Sequence, residues 1–259
     1  MPGKQCISFF TLLSLCAFSV NASAALPKEQ YSTQTLATQL QSPWSMVELP
    51  NGTWLITERD GHVVIVKNNV QSRVKLNLEG LYVAGQGGLL DIVLSPDYND
   101  SKEIVFTYAQ GDASENRLVV AKATFNGTDF SKPNVIYKVA TDKNTPQHYA
   151  GRALVLPDNT LLVSTGDGFD FREQAQVITS QLGKILRINL DGYIPTDNPF
   201  INHKNLNAHA VYSLGHRNPQ GLVYDYDTQQ IVSHEHGPAG GDELNYLTAS
   251  TNYGWPVIT

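Results

Sequence analysis

The 259-residue sequence has two cysteines, no run of basic residues and one long apolar stretch, and each scarcity limits what the protein can be. Both cysteines, Cys6 and Cys16, lie in that apolar stretch, so the rest of the chain has no thiol for a disulfide or a Zn²⁺ site. A formal net charge of -6 without clustered Lys and Arg argues against a nucleic-acid partner. Long helical periodicity is also missing, which leaves a chain dominated by strands.

The N-terminal residues have the pattern of a secretory signal peptide. Lys4 gives a positive start, residues 6–20 are apolar, and Ala22-Ser23-Ala24 is a small-x-small cleavage sequence. The apolar run is shorter than the roughly 20 residues of a membrane span. We therefore predict a signal peptide over residues 1–24 and a lead-in over 25–42. The mature protein is expected to be periplasmic or secreted, without a transmembrane segment, as a monomer or homodimer.

Short apolar segments bounded by turns predict a series of strands. Residues 54–57 and 63–66 flank Asp60-Gly61, the pattern of a tight hairpin. Four further groups have strand composition: residues 104–107 with 118–120, 161–165, 185–188 and 231–235. Only residues 174–182 allow a short helix or turn.

The predicted strands recur at intervals. Strands begin near residues 54, 104, 161 and 231, and a turn sequence at Pro50, Pro96, Pro157 or Asp225 precedes each of them. A recurrence of about 50 residues with several strands per unit is typical of a β-propeller. We predict an all-β partial propeller of about four blades over residues 43–259. A β-sandwich is the alternative.

A histidine and an aspartate flank the third of these strands. His148 precedes it and Asp167 follows it, so both side chains can reach the same end of a blade. An imidazole beside a carboxylate can act as a general base near neutral pH, because the carboxylate fixes its tautomer. An ordinary surface histidine is the alternative.

Three further side chains are candidates for ligand binding. Gln86 lies in a Gly-rich segment that lets backbone approach a ligand closely, although a turn joining two blades explains the glycines equally well. Arg217 carries a planar cation suited to carboxylates or a developing oxyanion, with a structural ion pair as the alternative. Asn218 follows it in the same loop.

The segment after residue 236 offers oxygen ligands. Gly237 and Pro238 provide carbonyl groups, and Asp242 and Glu243 provide carboxylates nearby. Hard oxygen donors of this kind suit Ca²⁺.

Several of these motifs, in order along the chain, resemble the soluble pyrroloquinoline-quinone (PQQ)-dependent glucose/sorbosone dehydrogenases, which include aldose sugar dehydrogenases. The resemblance runs from Pro43 to Thr259. Its strongest blocks are residues 85–91 (GQGGLLD), 182–189 (LGKILRIN) with 191–195 (DGYIP), 215–222 (GHRNPQGL) and 252–256 (NYGWP).

The resemblance implies a fold and a reaction. The family fold is a six-bladed β-propeller with the quinone over one face, so this sequence is expected to contain about four blades of a ring truncated after Thr259. Two further blades would supply basic residues for the quinone carboxylates. The implied reaction oxidises the C1 hydroxyl of an aldose to a lactone, using PQQ, Ca²⁺ and an external electron acceptor.

The resemblance also implies residue roles. His148 would be the base that removes the hydroxyl proton, and Asp167 would hold it. Gln86, Arg217 and Asn218 would contact the quinone, together with His148.

The implied metal sites lie further along the chain. The carbonyls of Gly237 and Pro238 would bind the Ca²⁺ next to the quinone. Glu243 and the Tyr253 carbonyl would form a second calcium site.

Other functions remain open on the sequence. A non-catalytic secreted propeller that binds a partner is one alternative, and a calcium-dependent hydrolase is another. No Gly-x-Gly-x-x-Gly motif follows a strand, which disfavours a nicotinamide enzyme.

Overall fold

The computed structural model describes residues 32–258. One compact unit comprises Leu36–Thr259, and residues 32–35 contain no helix or strand. The predicted signal peptide and residues 25–31 of the predicted lead-in lie outside the described residues. Within the described range, no helix is both long and apolar enough to cross a membrane.

Within residues 32–258, fifteen strands form four antiparallel sheets, each built from consecutive strands. The first sheet contains β1 (Pro43–Glu48), β2 (Trp54–Glu58), β3 (His62–Lys67) and β4 (Val70–Lys75). The second contains β5 (Leu89–Leu94), β6 (Glu103–Gly111), β7 (Asn116–Thr124) and β8 (Asn134–Lys138). The third contains β9 (Ala150–Val155), β10 (Thr160–Thr165), β11 (Lys184–Asn189) and β12 (Val211–Leu214). The fourth contains β13 (Pro219–Asp225), β14 (Gln230–Glu235) and β15 (Glu243–Leu247).

Helices are few and short in the described chain. A single α-helical turn, α1, covers Tyr98–Ser101. Two 3₁₀ helices cover Arg172–Gln176 and Leu206–Ala210. The first of them falls partly within residues 174–182, where the sequence allows a short helix or turn.

This arrangement is the predicted propeller. The four recurring strands of the sequence are β2, β6, β10 and β14, which are the second strands of the four sheets. The Asp60-Gly61 hairpin between β2 and β3 is present, and Gly61 has a φ of 95° that suits glycine. The first strand of each sheet is not evident from the sequence.

Buried apolar side chains fill the spaces between neighbouring sheets. Leu55 and Phe106 belong to the cluster between the first and second sheets. Val105 and Val163 belong to the next cluster, and Leu162 and Ile231 to the cluster between the third and fourth. Each blade therefore depends on its neighbour for burial, as expected for a propeller.

A buried hydroxyl on the second strand of a sheet also joins it to the next sheet. In three sheets this hydroxyl accepts a hydrogen bond from a backbone nitrogen of its own first strand. It donates to a backbone carbonyl of the first strand of the following sheet. The donor and acceptor pairs are Thr57 with Leu90, Thr107 with Gly151, and Ser164 with Pro219. Ser233 holds the corresponding place on β14, and its buried hydroxyl has no partner among residues 32–258.

The first strands of the four sheets lie side by side, in the order β1, β5, β9, β13. Because the sheets are antiparallel, the start of each first strand lies at the same end as the finish of each second strand. His148 and Asn218 precede first strands, whereas Asp167 follows a second strand. The fold therefore collects the candidate residues at one end of the sheets.

Candidate functional site

His148 and Asp167 form a buried pair. His148 Nδ1 donates to Asp167 Oδ1 over 2.7 Å, and the two side chains are 6% and 1% exposed. Because a carboxylate oxygen can only accept, Nδ1 of the neutral imidazole carries the proton and Nε2 has a lone pair. Nε2 has no hydrogen-bond partner within residues 32–258. The pair is therefore arranged so that Nε2 can accept a proton.

The loop that carries His148 has an unusual backbone. His148 and Ala150 have φ angles of 48° and 52°, in the left-handed region that non-glycine residues rarely adopt. Two amide side chains from other sheets hold this loop. Gln86 Oε1 accepts from the His148 nitrogen at 2.8 Å, and Asn218 Oδ1 accepts from the Ala150 nitrogen at 3.1 Å. The predicted ligand-binding residues Gln86 and Asn218 thus shape the loop of the predicted base.

The Asp167 carboxylate is held on both oxygens. Oδ1 accepts from the Phe169 nitrogen at 2.8 Å as well as from His148. Oδ2 accepts from the indole nitrogen of Trp255 at 2.8 Å. The Asp167 nitrogen donates to the Arg217 carbonyl at 2.8 Å, which ties the aspartate to the fourth sheet. These contacts leave the carboxylate little freedom to rotate away from the imidazole.

A buried glutamate organises the loop of Arg217 and Asn218. Glu235 Oε2 accepts from the backbone nitrogens of both residues, at 2.5 and 3.2 Å. Its Oε1 lies 2.9 Å from His216 Nδ1. His216 is fully buried, and its Nε2 lies 2.8 Å from the Ser213 hydroxyl. Because both of its ring nitrogens are paired, His216 has a structural role, unlike His148.

The Arg217 guanidinium makes few contacts with the rest of the chain. It donates to the His236 carbonyl at 3.0 Å and lies 5.3 Å from the centroid of the Trp255 ring. Its Nε is buried without a hydrogen-bond partner among the described residues. No carboxylate of residues 32–258 pairs with it, so the structural ion pair considered from the sequence is not present. An unpaired cation here is available to an anionic ligand.

An open cavity of about 230 Å³ adjoins the His148 loop. Gln86, Asn218, Arg59 and His236 line it, along with Ala150. Arg59 donates to the carbonyls of Gly85 and Gly87, so its cation also holds the Gly-rich segment in place. The cavity combines amide groups and a cation around a space suited to a polar ligand.

The candidate metal residues lie in two places. Gly237, Pro238 and Glu243 line one narrow pocket together with Arg217. The Gly237 nitrogen donates to Asp242 Oδ1 at 2.9 Å, which fixes the turn. Tyr253 lies outside this lining, and its ring stacks on His216 at 4.7 Å. Glu243 therefore lies next to Gly237 and Pro238.

A buried lysine faces the pair. The Lys143 ammonium group lies 3.4 Å from the centroid of the Tyr149 ring and donates to the Thr145 carbonyl. Burial lowers the pKa of Lys143 to about 7, against the opposing influence of the Asp167 charge. A neighbouring amine that can lose its proton near neutral pH makes the local charge sensitive to pH.

Four residues of this region were not assigned a role from the sequence: Arg59, Lys143, Glu235 and Trp255. Glu235 ends the predicted strand 231–235, and its position as an acidic residue at a strand end is the one sequence feature that points to a role in the site. Trp255 lies in the NYGWP block. Its contact with Asp167 joins residues 88 positions apart, which no local pattern indicates.

The described geometry is that of a propeller whose blade loops converge on a histidine-carboxylate pair, an unpaired arginine and a polar cavity. Over residues 40–259 the sequence matches the family described as Glucose / Sorbosone dehydrogenase. The chain belongs to that family, which confirms the resemblance predicted from its motifs.

Individual relatives show the same likeness. An uncharacterized protein of Synechocystis sp., slr1608, is 45% identical over 238 residues, which cover 85% of this chain and 58% of that protein. The aldose sugar dehydrogenase YliI of Escherichia coli is 33% identical over 258 residues, covering 97% of this chain and 68% of that protein. The solved PQQ-bound aldose sugar dehydrogenase of Streptomyces coelicolor is 33% identical with a TM-score of 0.74, over 86% of this chain and 65% of that one.

The chain is shorter than these relatives. It spans 58% of the length of the Synechocystis protein. The family match over residues 40–259 includes every site residue described above.

Proposed function

We propose that this chain is an exported quinoprotein dehydrogenase that oxidises the C1 hydroxyl of aldose sugars to lactones with PQQ and Ca²⁺. The observation that carries the proposal is the buried His148-Asp167 pair with a free Nε2. Membership of the family and the likeness to a PQQ-bound structure support the cofactor. The substrate class follows the names of the relatives.

The residues present fit PQQ, which is a planar tricarboxylate. The buried, unpaired Nε of Arg217 is a donor that lacks an acceptor among the described residues. Gln86 and Asn218 use their side-chain oxygens on the His148 loop, which leaves their NH₂ groups for a ligand. When bound, the quinone would supply the oxidising centre that accepts hydride. Arg217 would favour the negative charge that this transfer produces.

The chain's own residues would move the proton. A sugar hydroxyl placed at Nε2 of His148 would give its proton to that nitrogen. Asp167 would then stabilise the imidazolium through the bond at Nδ1 and keep the ring oriented. Loss of the proton makes hydride departure from the same carbon easier.

Calcium would be held by oxygen atoms of residues that follow β14. The carbonyls of Gly237 and Pro238 are proposed for the ion next to the quinone, and Glu243 with the Tyr253 carbonyl for a second ion. Added Ca²⁺ should raise the melting temperature of the chelator-treated protein, because an ion that binds the folded state stabilises it. Glu243→Gln should reduce that increase. A melting temperature unaffected by Ca²⁺ would remove the metal from the proposal.

The reaction is tested by comparing two histidine variants. His148→Gln removes the proposed base, whereas His62→Gln removes a histidine of another sheet that pairs with Asp60 at 2.8 Å in a similar way. Each protein is loaded with PQQ and Ca²⁺, and aldose-dependent reduction of an artificial dye is measured. We expect turnover from the parent and His62→Gln, and loss of turnover with retained quinone in His148→Gln. A His148→Gln variant as active as the parent would contradict the proposal, and quinone binding without turnover in the parent would favour a binding module.

A further inference from the structure

Trp255 connects the histidine-carboxylate pair to the end of the described chain. Its indole nitrogen donates to Asp167 Oδ2 at 2.8 Å, on the oxygen that His148 does not use. Its ring also lies beside the Arg217 guanidinium, with 5.3 Å between the guanidinium carbon and the ring centroid. One side chain thus contacts both the partner of the proposed base and the unpaired cation.

The backbone of Trp255 is fixed from two sides. Its nitrogen donates to the Gly215 carbonyl at 3.0 Å, and its carbonyl accepts from Gln176 at 2.6 Å. Gln176 also exchanges two hydrogen bonds with Asn252, of 3.0 and 2.7 Å. The backbone of Trp255 is therefore held between the 3₁₀ helix Arg172–Gln176 and the turn before Arg217, which places the indole next to Asp167.

We propose that Trp255 is a positioning residue, which orients the Asp167 carboxylate so that Oδ1 stays directed at Nδ1 of His148. This inference rests on the proposed function of His148 as the base. With the indole on Oδ2, rotation of the carboxylate about its Cβ–Cγ bond breaks two hydrogen bonds to side chains at once. Without the indole, Oδ2 is a buried carboxylate oxygen with no side-chain donor. Rotation of the carboxylate toward another hydrogen-bond donor then becomes favourable.

Other charged groups near the pair do not replace this contact. Lys143 interacts with Asp167 by charge, and its ammonium group donates to Thr145. Arg217 approaches Asp167 through its backbone carbonyl, whereas its guanidinium faces Trp255 and His236. The indole is thus the one side-chain donor on Oδ2 among the described residues.

The first test is spectroscopic and needs neither cofactor nor sugar. The sequence has three tryptophans, so the ¹H–¹⁵N spectrum of the apo-protein has three indole signals, and Trp255→Phe assigns one of them. Asp167→Asn removes the charged acceptor and should move the Trp255 indole proton upfield, while the signals of Trp44 and Trp54 stay in place. An unchanged Trp255 signal in Asp167→Asn would overturn the inference.

The second test separates positioning from shape. Benzothienylalanine at position 255 keeps the bicyclic ring and lacks the N–H group. The matched control is the same replacement at Trp54, whose side chain makes no hydrogen bond within residues 32–258. We expect kcat to fall roughly tenfold to a hundredfold at position 255, with KM for the sugar unchanged, as for other groups that orient a functional side chain. An unchanged kcat would overturn the positioning role. If the parent shows no dehydrogenase activity, the proposed function fails, whereas the indole shift still reports whether Trp255 donates to Asp167.

Discussion

The side-chain oxygen of Gln86 accepts a hydrogen bond from the backbone nitrogen of His148 over 2.8 Å. Gln86 precedes the second sheet and His148 precedes the third, so this contact crosses between blades. It holds a residue whose φ of 48° is unfavourable for a non-glycine side chain. The position of the proposed base is therefore set by its neighbours as well as by its own loop.

Replacing Gln86 should loosen that loop. Gln86→Met removes the acceptor, whereas Gln86→Glu keeps an oxygen at the same reach and serves as the control. We expect the His148 amide to exchange its hydrogen about fivefold faster in Gln86→Met, since a lost hydrogen bond of this kind is worth about 1 kcal/mol. Hydrogen exchange of the apo-protein measures this directly. Equal exchange rates in the two variants would show that the loop does not need the contact.

Asp167→Asn should lower turnover far more than it lowers stability. The amide lacks the charge that stabilises an imidazolium, and it can present its NH₂ group to Nδ1 and so favour the wrong tautomer. A decrease in kcat of about 10³- to 10⁴-fold is expected, by analogy with the same change in a serine protease triad. Asp60→Asn, in the pair with His62, is the control and should leave kcat unchanged. Similar kcat values for Asp167→Asn and the parent would mean that the pair has no catalytic role.

Lys143 should make stability depend on pH. Burial lowers its pKa in the folded protein to about 7, compared with about 10.4 in an unfolded chain. Between these values the unfolded chain binds more protons, so the contribution to stability rises with pH and is lowest at and below pH 7. Lys143→Met removes this dependence.

The Lys143 prediction is checked by denaturant unfolding at pH 7 and pH 9.5. Between pH 9.5 and pH 7 the parent should lose about 3 kcal/mol more stability than Lys143→Met, since one pKa unit corresponds to about 1.4 kcal/mol. The exposed Lys67→Met should show no such change. A difference between Lys143→Met and the parent that is constant with pH would contradict the explanation.

The hydroxyl of Thr107 should contribute to joining the second and third blades. Thr107→Val keeps the shape but leaves the Asp91 nitrogen and the Gly151 carbonyl without their partner. The free energy of unfolding should fall by about 2 to 4 kcal/mol, because both groups are buried. Thr107→Ser keeps the hydroxyl and should lose less. If Thr107→Val were as stable as Thr107→Ser, packing rather than hydrogen bonding would join the blades here.

Much of the architecture could be predicted from the sequence. The recurrence of turn and strand identified the second strand of every sheet. β2, β6 and β10 are buried on both faces and are largely apolar, whereas β14 alternates buried and exposed residues and is identified by its spacing. The first strands were harder to predict, since β1 and β13 mix polar and apolar residues and are only partly buried. The sequence places His148 before and Asp167 after one strand, β10, whereas in the structure β9 lies between His148 and β10. Because β9 is antiparallel to β10, this unpredicted strand brings both residues to one end of the sheet.

The contacts that hold the site could not be predicted in the same way. Trp255 and Asp167 are 88 residues apart, and Glu235 reaches His216 from another strand. Strand periodicity gives the face of a sheet on which a side chain lies, but not which side chain of the next sheet meets it.

The measurement closest to the central claim is a single turnover of the quinone-loaded protein with an aldose deuterated at C1. Stopped-flow absorbance follows the bound quinone, and the sugar product is identified by mass. We predict that the quinone is reduced by the sugar, more slowly for the deuterated form, with a lactone as product, and that His148→Gln slows the step for both forms. Quinone reduction at equal rates for the two sugars and unaffected by His148→Gln, or no reduction at all, would contradict the account.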